Sequence, residues 1–406
     1  METDITVERA LELIRAHVSP PGVGRIRATR AHGRVLAEDI PAPMDQPPWP
    51  RSPLDGYALR SADVAEAAES NPALLRVVDT VYAGGWCEKE IQPGEAVRIM
   101  TGAPIPAGCD CVVRQEDAQR DGGVVRLRRP LRAFENYCFA GDDYHRGDIL
   151  LRKGTRLTGN AMGVLASAGL LREEIMLPVY QKVRCALICT GDELVSSSVR
   201  PLPPGKIYSS NEAVLSARLQ ELGFEISVVE NGFSDDPEAL ADAIWMAAET
   251  TDVYFTTGGV SVGDKDILHE TLPLLEADRI FWRVKQKPGT PLMFSVYRRR
   301  PVLSLSGNPF AASAAFEIFG RAVLAAASGC DDVLPQKASA VLDTPFSKFG
   351  KGRRFVRGTY RDGRVTLPEG HSSGQLASAV GTNCLAEIPP ISEPLPKESR
   401  VKVWLL

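Results

Sequence analysis

The stretch 252–266, DVYFTTGGVSVGDKD, decides how the rest of the chain is read. Val253 to Thr256 is a short β-branched and aromatic run, too brief for a helix and closed by glycine, so it reads as a buried strand. Gly258-Gly259 lets the backbone turn where a Cβ would clash. Ser261, Gly263 and Asp264 follow, and Asp266 to Leu272 resumes at helical spacing. A strand, a glycine loop and a helix start together present backbone N–H groups to an anion. Asp264 and Asp266 would repel a bare phosphate. Their presence fits a divalent cation between carboxylate and anion, and fits equally a carboxylate that caps the next helix.

Two further stretches share this construction. Val183 to Cys189 is a second buried-strand run, ending in Thr190-Gly191-Asp192-Glu193-Leu194. Pro301 to Leu305 is a third, ending in Ser306-Gly307-Asn308-Pro309 and followed by an apolar helix pattern from Phe310 to Ala327. Between them, Asn211 to Leu222 and Pro237 to Glu249 are amphipathic at helical spacing, the second opening with Asp235-Asp236-Pro237, an N-cap before proline. Strands alternating with helices imply a mostly parallel, doubly wound sheet whose ligands bind beyond the strand carboxyl ends. All three glycine loops fall there.

At 406 residues the chain exceeds a single core, which implies two to four domains. With 47 Lys+Arg against 51 Asp+Glu and no long basic run, nucleic acid is not implied. Eight cysteines are scattered without a C-x-x-C pair; Cys109 and Cys111 are spaced for one face of a strand, but no histidine cluster completes a zinc site. The start of the chain, charged from Glu2, lacks a signal pattern, and Glu317 and Arg321 interrupt the most apolar helix. These features point to a cytoplasmic protein with no membrane span.

Along the chain, residues 5–18 form an amphipathic helix with Leu11, Ile14 and Val18 on one face, and Gly33 to Ile40 a strand-turn element. A proline-dense passage, Pro41 to Pro53, delivers Asp55-Gly56, which alone would read as a turn. Short β-runs from Leu74 to Arg129 suggest a small all-β module, residues 136–180 are mixed, and short alternating strands after Gly329 suggest a terminal barrel or sandwich.

The ordered set Pro53-Leu-Asp-Gly-Tyr-Ala58, Met100-Thr-Gly-Ala-Pro104, Thr190-Gly-Asp-Glu-Leu194, Gly258-Gly-Val-Ser-Val-Gly263 and Ser306-Gly-Asn-Pro309 resembles the molybdopterin molybdenumtransferases, the bacterial MoeA proteins and the E domain of gephyrin. The resemblance spans nearly the whole chain. It implies a multidomain α/β and β fold: a central doubly wound α/β domain of the molybdopterin-binding type (1–20 and 181–328), an elongated linker and dimerisation domain (21–45 and 136–180), an inserted β-rich domain (46–135) and a C-terminal β-barrel (329–406). It further implies a homodimer with its site between subunits, and insertion of molybdate into adenylylated molybdopterin with release of AMP and use of Mg²⁺. A molybdopterin adenylyltransferase would be the donor, and molybdoenzymes or chaperones the acceptors.

By motif position the resemblance places catalytic acids at Asp55, Glu193, Asp235 and Asp266, with Asp235 and Asp266 holding the metal. Ligand-binding positions fall on Thr101, Asp143, Thr190, Gly191, Asn211, Gly258, Gly259, Ser261, Lys287, Ser306, Gly307 and Asn308. Singly, several have plainer readings: Asp235 as a cap, Glu193 as a first-turn acid, Lys287 as a solvated lysine. Two departures stand out. The arginine that the family usually carries near its Gly-Glu-Asp segment is replaced within Asn136-Tyr-Cys-Phe-Ala140, and the second lysine of many bacterial members, just after Lys-Pro-Gly, is Thr290. They keep alive a non-enzymatic molybdopterin carrier or regulator. Molybdopterin adenylylation fits less well, because that enzyme is far shorter and carries Gly-Gly-Thr-Gly in its loop.

Overall fold

A computed structural model describes residues 1–233, 236–260, 267–348, 350, 352–370 and 372–406. At its centre is a seven-stranded sheet in the order Glu2–Ile5, Asp278–Val284, Met293–Tyr297, Arg300–Leu305, Val253–Thr257, Arg184–Thr190, Glu225–Phe233. Four of its pairings are parallel and two antiparallel. The strands that carry the three glycine loops, Arg184–Thr190, Val253–Thr257 and Arg300–Leu305, are adjacent and mutually parallel, so all three loops leave the same edge.

Helices cover both faces. One face packs Val7–His17, Ser210–Glu221 and the long helix from Pro309 around Leu187, Phe255 and Leu303. The other packs Pro237–Met246 and Leu268–Leu274 onto Ile188, Tyr254 and Val302. Pro309–Ser328 has the length and mean hydropathy (1.5) of a membrane span, but 83% of that window is buried inside the protein. Glu317 and Arg321 do not break it. They pair with each other at 3.2 Å, and Glu317 also holds Arg218 within the core.

Several boundaries differ from expectation for local reasons. The helix expected over 5–18 occupies Val7–His17, because Glu2–Ile5 is taken up as an edge strand and Thr6 caps the helix by accepting from the Arg9 amide at 3.2 Å. Leu13 is buried on the helix's core face alongside Ile14, whereas Leu11 is only partly buried. The cap before Pro237 is Asp236, whose Oδ1 accepts from the Glu238 amide at 3.0 Å. The helix expected from Asp266 starts at Leu268.

The inserted β-module is a six-stranded sheet in which Gly56–Leu59 is an inner strand. Asp55-Gly56 is therefore a strand entry and not a turn. A Cβ on Gly56 would lie 1.8 Å from the Val113 carbonyl oxygen, so the close approach of these strands requires glycine. Cys109 and Cys111 do not share a face: Cys111 joins the Leu59 cluster and Cys109 the Ile99 cluster. All eight cysteines are free. The linking arm pairs Val23–Arg27 with Met176–Tyr180 and Ile40–Pro41 with Ile149–Leu151, with helix Gly159–Ser167 packed beside them.

The terminal region closes as a five-stranded barrel: Arg353–Arg361, Arg364–Thr366, Lys337–Leu342, Arg400–Leu405 and Cys384–Ile388, which returns to Arg353–Arg361. Phe355 and Trp404, edge to face at 5.5 Å, join this barrel to the core of the central sheet.

Candidate functional site

Beyond the carboxyl ends of the three parallel strands lies a cavity of about 560 Å³. Of the expected ligand-binding residues, Thr190, Gly191, Asn211, Gly258, Gly259, Ser306, Gly307 and Asn308 line it, together with the expected catalytic acid Glu193. Its walls are bonded to one another. Thr190 Oγ1 donates to the Thr257 carbonyl at 3.2 Å, the Gly258 amide to the Leu305 carbonyl at 3.1 Å, and Asn211 Nδ2 to the Gly307 carbonyl at 2.9 Å. Each bond ties one part of the wall to another, a helix to a loop at Asn211, so the wall forms one rim.

The glycines are required by that closeness. Gly258 has φ +93° and its missing Cβ would sit 2.5 Å from the Thr190 carbonyl oxygen. Gly191, at φ +145°, leaves room for the Glu193 carboxylate, which would lie 2.8 Å from a Cβ there. The carboxylate is thereby folded over the loop backbone.

Sequence reasoning missed part of the lining. Ile207, Tyr208 and Ser209 enter from the segment before helix Ser210–Glu221 and Ser210 from its first turn; Ile207 and Tyr208 are exposed apolar side chains at this rim. Ser373 enters from the terminal region, where its carbonyl accepts from the Phe310 amide at 3.0 Å. The signal for Ser373 is Arg357, a fully buried barrel cation. Its guanidinium donates to the carbonyls of Gln375 and Ser372 and to Ser378 Oγ, and stacks 3.5 Å from the Phe310 ring centroid. It thus fixes the 372–378 loop against the cavity.

Lys287 does not line this cavity. It lines an adjoining one of about 170 Å³ with Lys348 and Arg354, and Pro288 and Ser373 belong to both. Thr290 lines the main cavity. Asp55, Thr101 and Asp143 lie on the inserted and linking segments and line neither cavity. Asp55 and Thr101 are nonetheless joined: Asp55 Oδ1 accepts from both the amide and the hydroxyl of Thr101, each at 2.7 Å. These bonds, the amide first, hold the Asp55 carboxyl below the usual aspartate value. Asp143 is exposed, its amide donating to the Gln46 carbonyl at 2.9 Å. Asp235, Ser261 and Asp266 lie outside the described residues.

A doubly wound sheet with a cavity at its carboxyl edge, lined by glycine loops and hydroxyl side chains, defines a class, and residues 186–326 match the family model described as a probable molybdopterin binding domain. Residues 5–169 match the MoeA N-terminal region (domain I and II), and residues 339–406 the MoeA C-terminal region (domain IV). The molybdopterin molybdenumtransferase of Staphylococcus aureus (strain COL) is 32% identical over 390 residues, covering 95% of this chain and 91% of that protein. Its counterpart in Staphylococcus epidermidis (strain ATCC 12228 / FDA PCI 1200) is 32% identical over 392 residues, covering 95% and 92%. The crystal structure of the molybdopterin biosynthesis moeA protein from Pyrococcus horikoshii OT3 superposes with a TM-score of 0.84 at 28% identity, covering 99% of this chain and all of that one. The chain belongs to the MoeA family of molybdopterin molybdenumtransferases. It is a transferase of molybdenum cofactor biosynthesis.

Proposed function

We propose that the chain inserts molybdenum from molybdate into the dithiolene of adenylylated molybdopterin, releasing AMP. It would act as a homodimer whose site joins the sheet-edge cavity of one subunit to the Asp55–Thr101 pair of the other. A molybdopterin adenylyltransferase supplies the substrate, and molybdoenzymes or their chaperones receive the product. The division into four domains given above, with a cytoplasmic location, belongs to the same proposal. The observation that carries it is the convergence of three glycine loops on one 560 Å³ cavity, with hydroxyls and backbone N–H groups suited to phosphate oxygens.

The donors at the cavity fit Mg²⁺, a hard cation that takes oxygen ligands: the Glu193 carboxylate, the Thr190 and Ser306 hydroxyls and the Asn308 side chain. Among the described residues no group of three or more acidic, histidine or cysteine side chains gathers to hold a metal. The substrate's phosphates, with Asp235 and Asp266, would complete the set. Bound there, Mg²⁺ supplies positive charge that offsets the phosphates.

The protein's own cations divide by place. Lys287, Lys348 and Arg354 line the adjoining cavity and suit the anionic molybdate side of the ligand. Arg353 is paired with Glu8 and Glu387, Arg357 is committed to the 372–378 loop, and Lys285 is exposed. The main cavity itself gains no cation at position 290, where Thr290 Oγ1 donates to the Gln286 carbonyl. Thr290→Lys is expected to lower the molybdate concentration for half-maximal turnover about fivefold, the size of a partly exposed charge interaction. Pterin affinity should hardly change. An unchanged molybdate dependence would place position 290 outside the molybdate subsite.

A further inference from the structure

The loops that hold the Asp55–Thr101 pair are bonded to loops that carry exposed aromatic side chains. Trp49 is 46% exposed, Tyr82 63% and Trp86 65%, and the two indoles meet edge to face at 5.9 Å. Exposed aromatics gathered in one place mark a binding surface. Backbone bonds tie their loops to the pair. The Gly102 amide donates to the Ser52 carbonyl at 2.8 Å, Ser52 to Ala103 at 2.9 Å and Ile105 to Pro50 at 2.9 Å, so the Trp49–Asp55 passage is laced to the Thr101 turn. On the other side the Met100 amide donates to the Val81 carbonyl at 3.1 Å, bringing the Tyr82–Trp86 loop alongside. A Cβ on Gly102 would lie 3.9 Å from the Ala83 Cβ.

The carboxylate is held half-used. Both Thr101 donors go to Oδ1, and among the described residues Oδ2 accepts no hydrogen bond. Arg98, a cation whose charge reaches Asp55, spends its guanidinium on the Gly56 carbonyl and Gln115 Oε1. Asp55 thus remains an oriented anion with one oxygen open, on loops laced to those that carry the aromatic rings. A planar heterocycle with N–H donors on one edge satisfies both features: donors for the carboxylate, a π-face for the rings.

We propose that Asp55 and the flanking Trp49, Tyr82 and Trp86 recognise the pterin ring of the ligand, with Oδ2 accepting from its 2-amino and N3–H edge and the aromatic side chains covering its face. Asp55 is on this view a recognition group, not an acid, base or metal ligand. The proposal rests on the intersubunit site described under Proposed function, and it assigns which end of the ligand meets which half of that site.

The test uses the full chain and a simple 6-substituted pterin lacking phosphate and dithiolene, without Mg²⁺ or molybdate, followed by quenching of tryptophan fluorescence. Lumazine, in which an oxo group replaces the 2-amino donor, is the comparison. The wild type should bind the pterin at least tenfold more tightly than lumazine. Asp55→Asn, which keeps the size but loses the anion, should abolish that preference. Trp86→Ala should weaken both ligands by about tenfold and raise the KM for adenylylated molybdopterin while kcat changes less than twofold; Trp86→Phe should restore most of the affinity.

Equal binding of pterin and lumazine, no quenching up to millimolar pterin, a preference that survives Asp55→Asn, or a kcat loss at constant KM in Trp86→Ala would each overturn the assignment. So would a change of oligomeric mass in Trp86→Ala, which makes the indole an interface residue. Turnover without pterin preference sinks this proposal alone. Pterin preference without turnover sinks the transferase chemistry and leaves this proposal standing.

Discussion

Glu317→Ala is expected to destabilise the protein by about 3–5 kcal/mol, the cost of breaking a buried ion pair from one side. Glu317 is 2% exposed and holds two arginines: Oε1 accepts from Arg218 Nε at 2.6 Å, and Oε2 from Arg218 at 3.1 Å and Arg321 at 3.2 Å. The arginines respond differently to their surroundings. Burial opposes the charge of Arg218, but the bonds and charges of Glu317 and Glu221 outweigh it and its pKa rises. Burial dominates at Arg321, which has only Glu317 to offset it and is repelled by Arg218, and its pKa falls. Removing Glu317 leaves two cations in the helix core with no acid between them. Thermal unfolding should fall by about 10 °C for a loss of this size. A fall under 2 °C would show that water reaches the arginines. Replacing Arg218, Glu317 and Arg321 together by apolar residues of similar volume should recover most of the loss.

Gly258→Ala is expected to lower turnover by about a hundredfold or more with a much smaller effect on stability. The position combines φ +93°, which L side chains rarely adopt, with a Cβ that would lie 2.5 Å from the Thr190 carbonyl oxygen and 2.6 Å from its Oγ1. Neither side can yield freely: Thr190 Oγ1 is bonded to the Thr257 carbonyl, and the Gly258 amide to that of Leu305. The loop must therefore move away from its neighbour, and displacement of about 1 Å in a positioning loop costs on the order of 100-fold. Activity within threefold of wild type would mean that the loop does not position the ligand.

The Gly258 loop also shows how much of the site was legible. Strand run, glycines and helix start could each be read, and their repetition at Gly191 and Gly307 gave the shared edge, because parallel strands with helical connections leave no other arrangement. The antiparallel hairpin in the same sheet was not legible. Met293–Tyr297 turns into Arg300–Leu305 through Arg298 and Arg299, at φ +46° and +65°. Two-residue turns with positive φ normally announce themselves by Asn-Gly or Asp-Gly, and here two arginines take those dihedrals under the constraint of the flanking pairs. The edge strand Glu2–Ile5 carried no signal either, since its partner Asp278–Val284 lies at the far end of the chain's central domain. Gly56 was read as a turn for the opposite reason: its glycine serves a close strand approach, which depends on Val113 more than fifty residues away. Ile207 reaches the cavity through tertiary packing with no pattern of its own, and Ser373 reaches it on the loop that the buried Arg357 holds.

The most direct measurement mixes the purified protein with adenylylated molybdopterin, molybdate and Mg²⁺ and follows AMP and active cofactor together. A molybdenum transferase releases AMP in step with the appearance of active cofactor, and both require molybdate and the metal. Tight binding of molybdopterin with no AMP and no active cofactor at any molybdate concentration would contradict the proposed reaction.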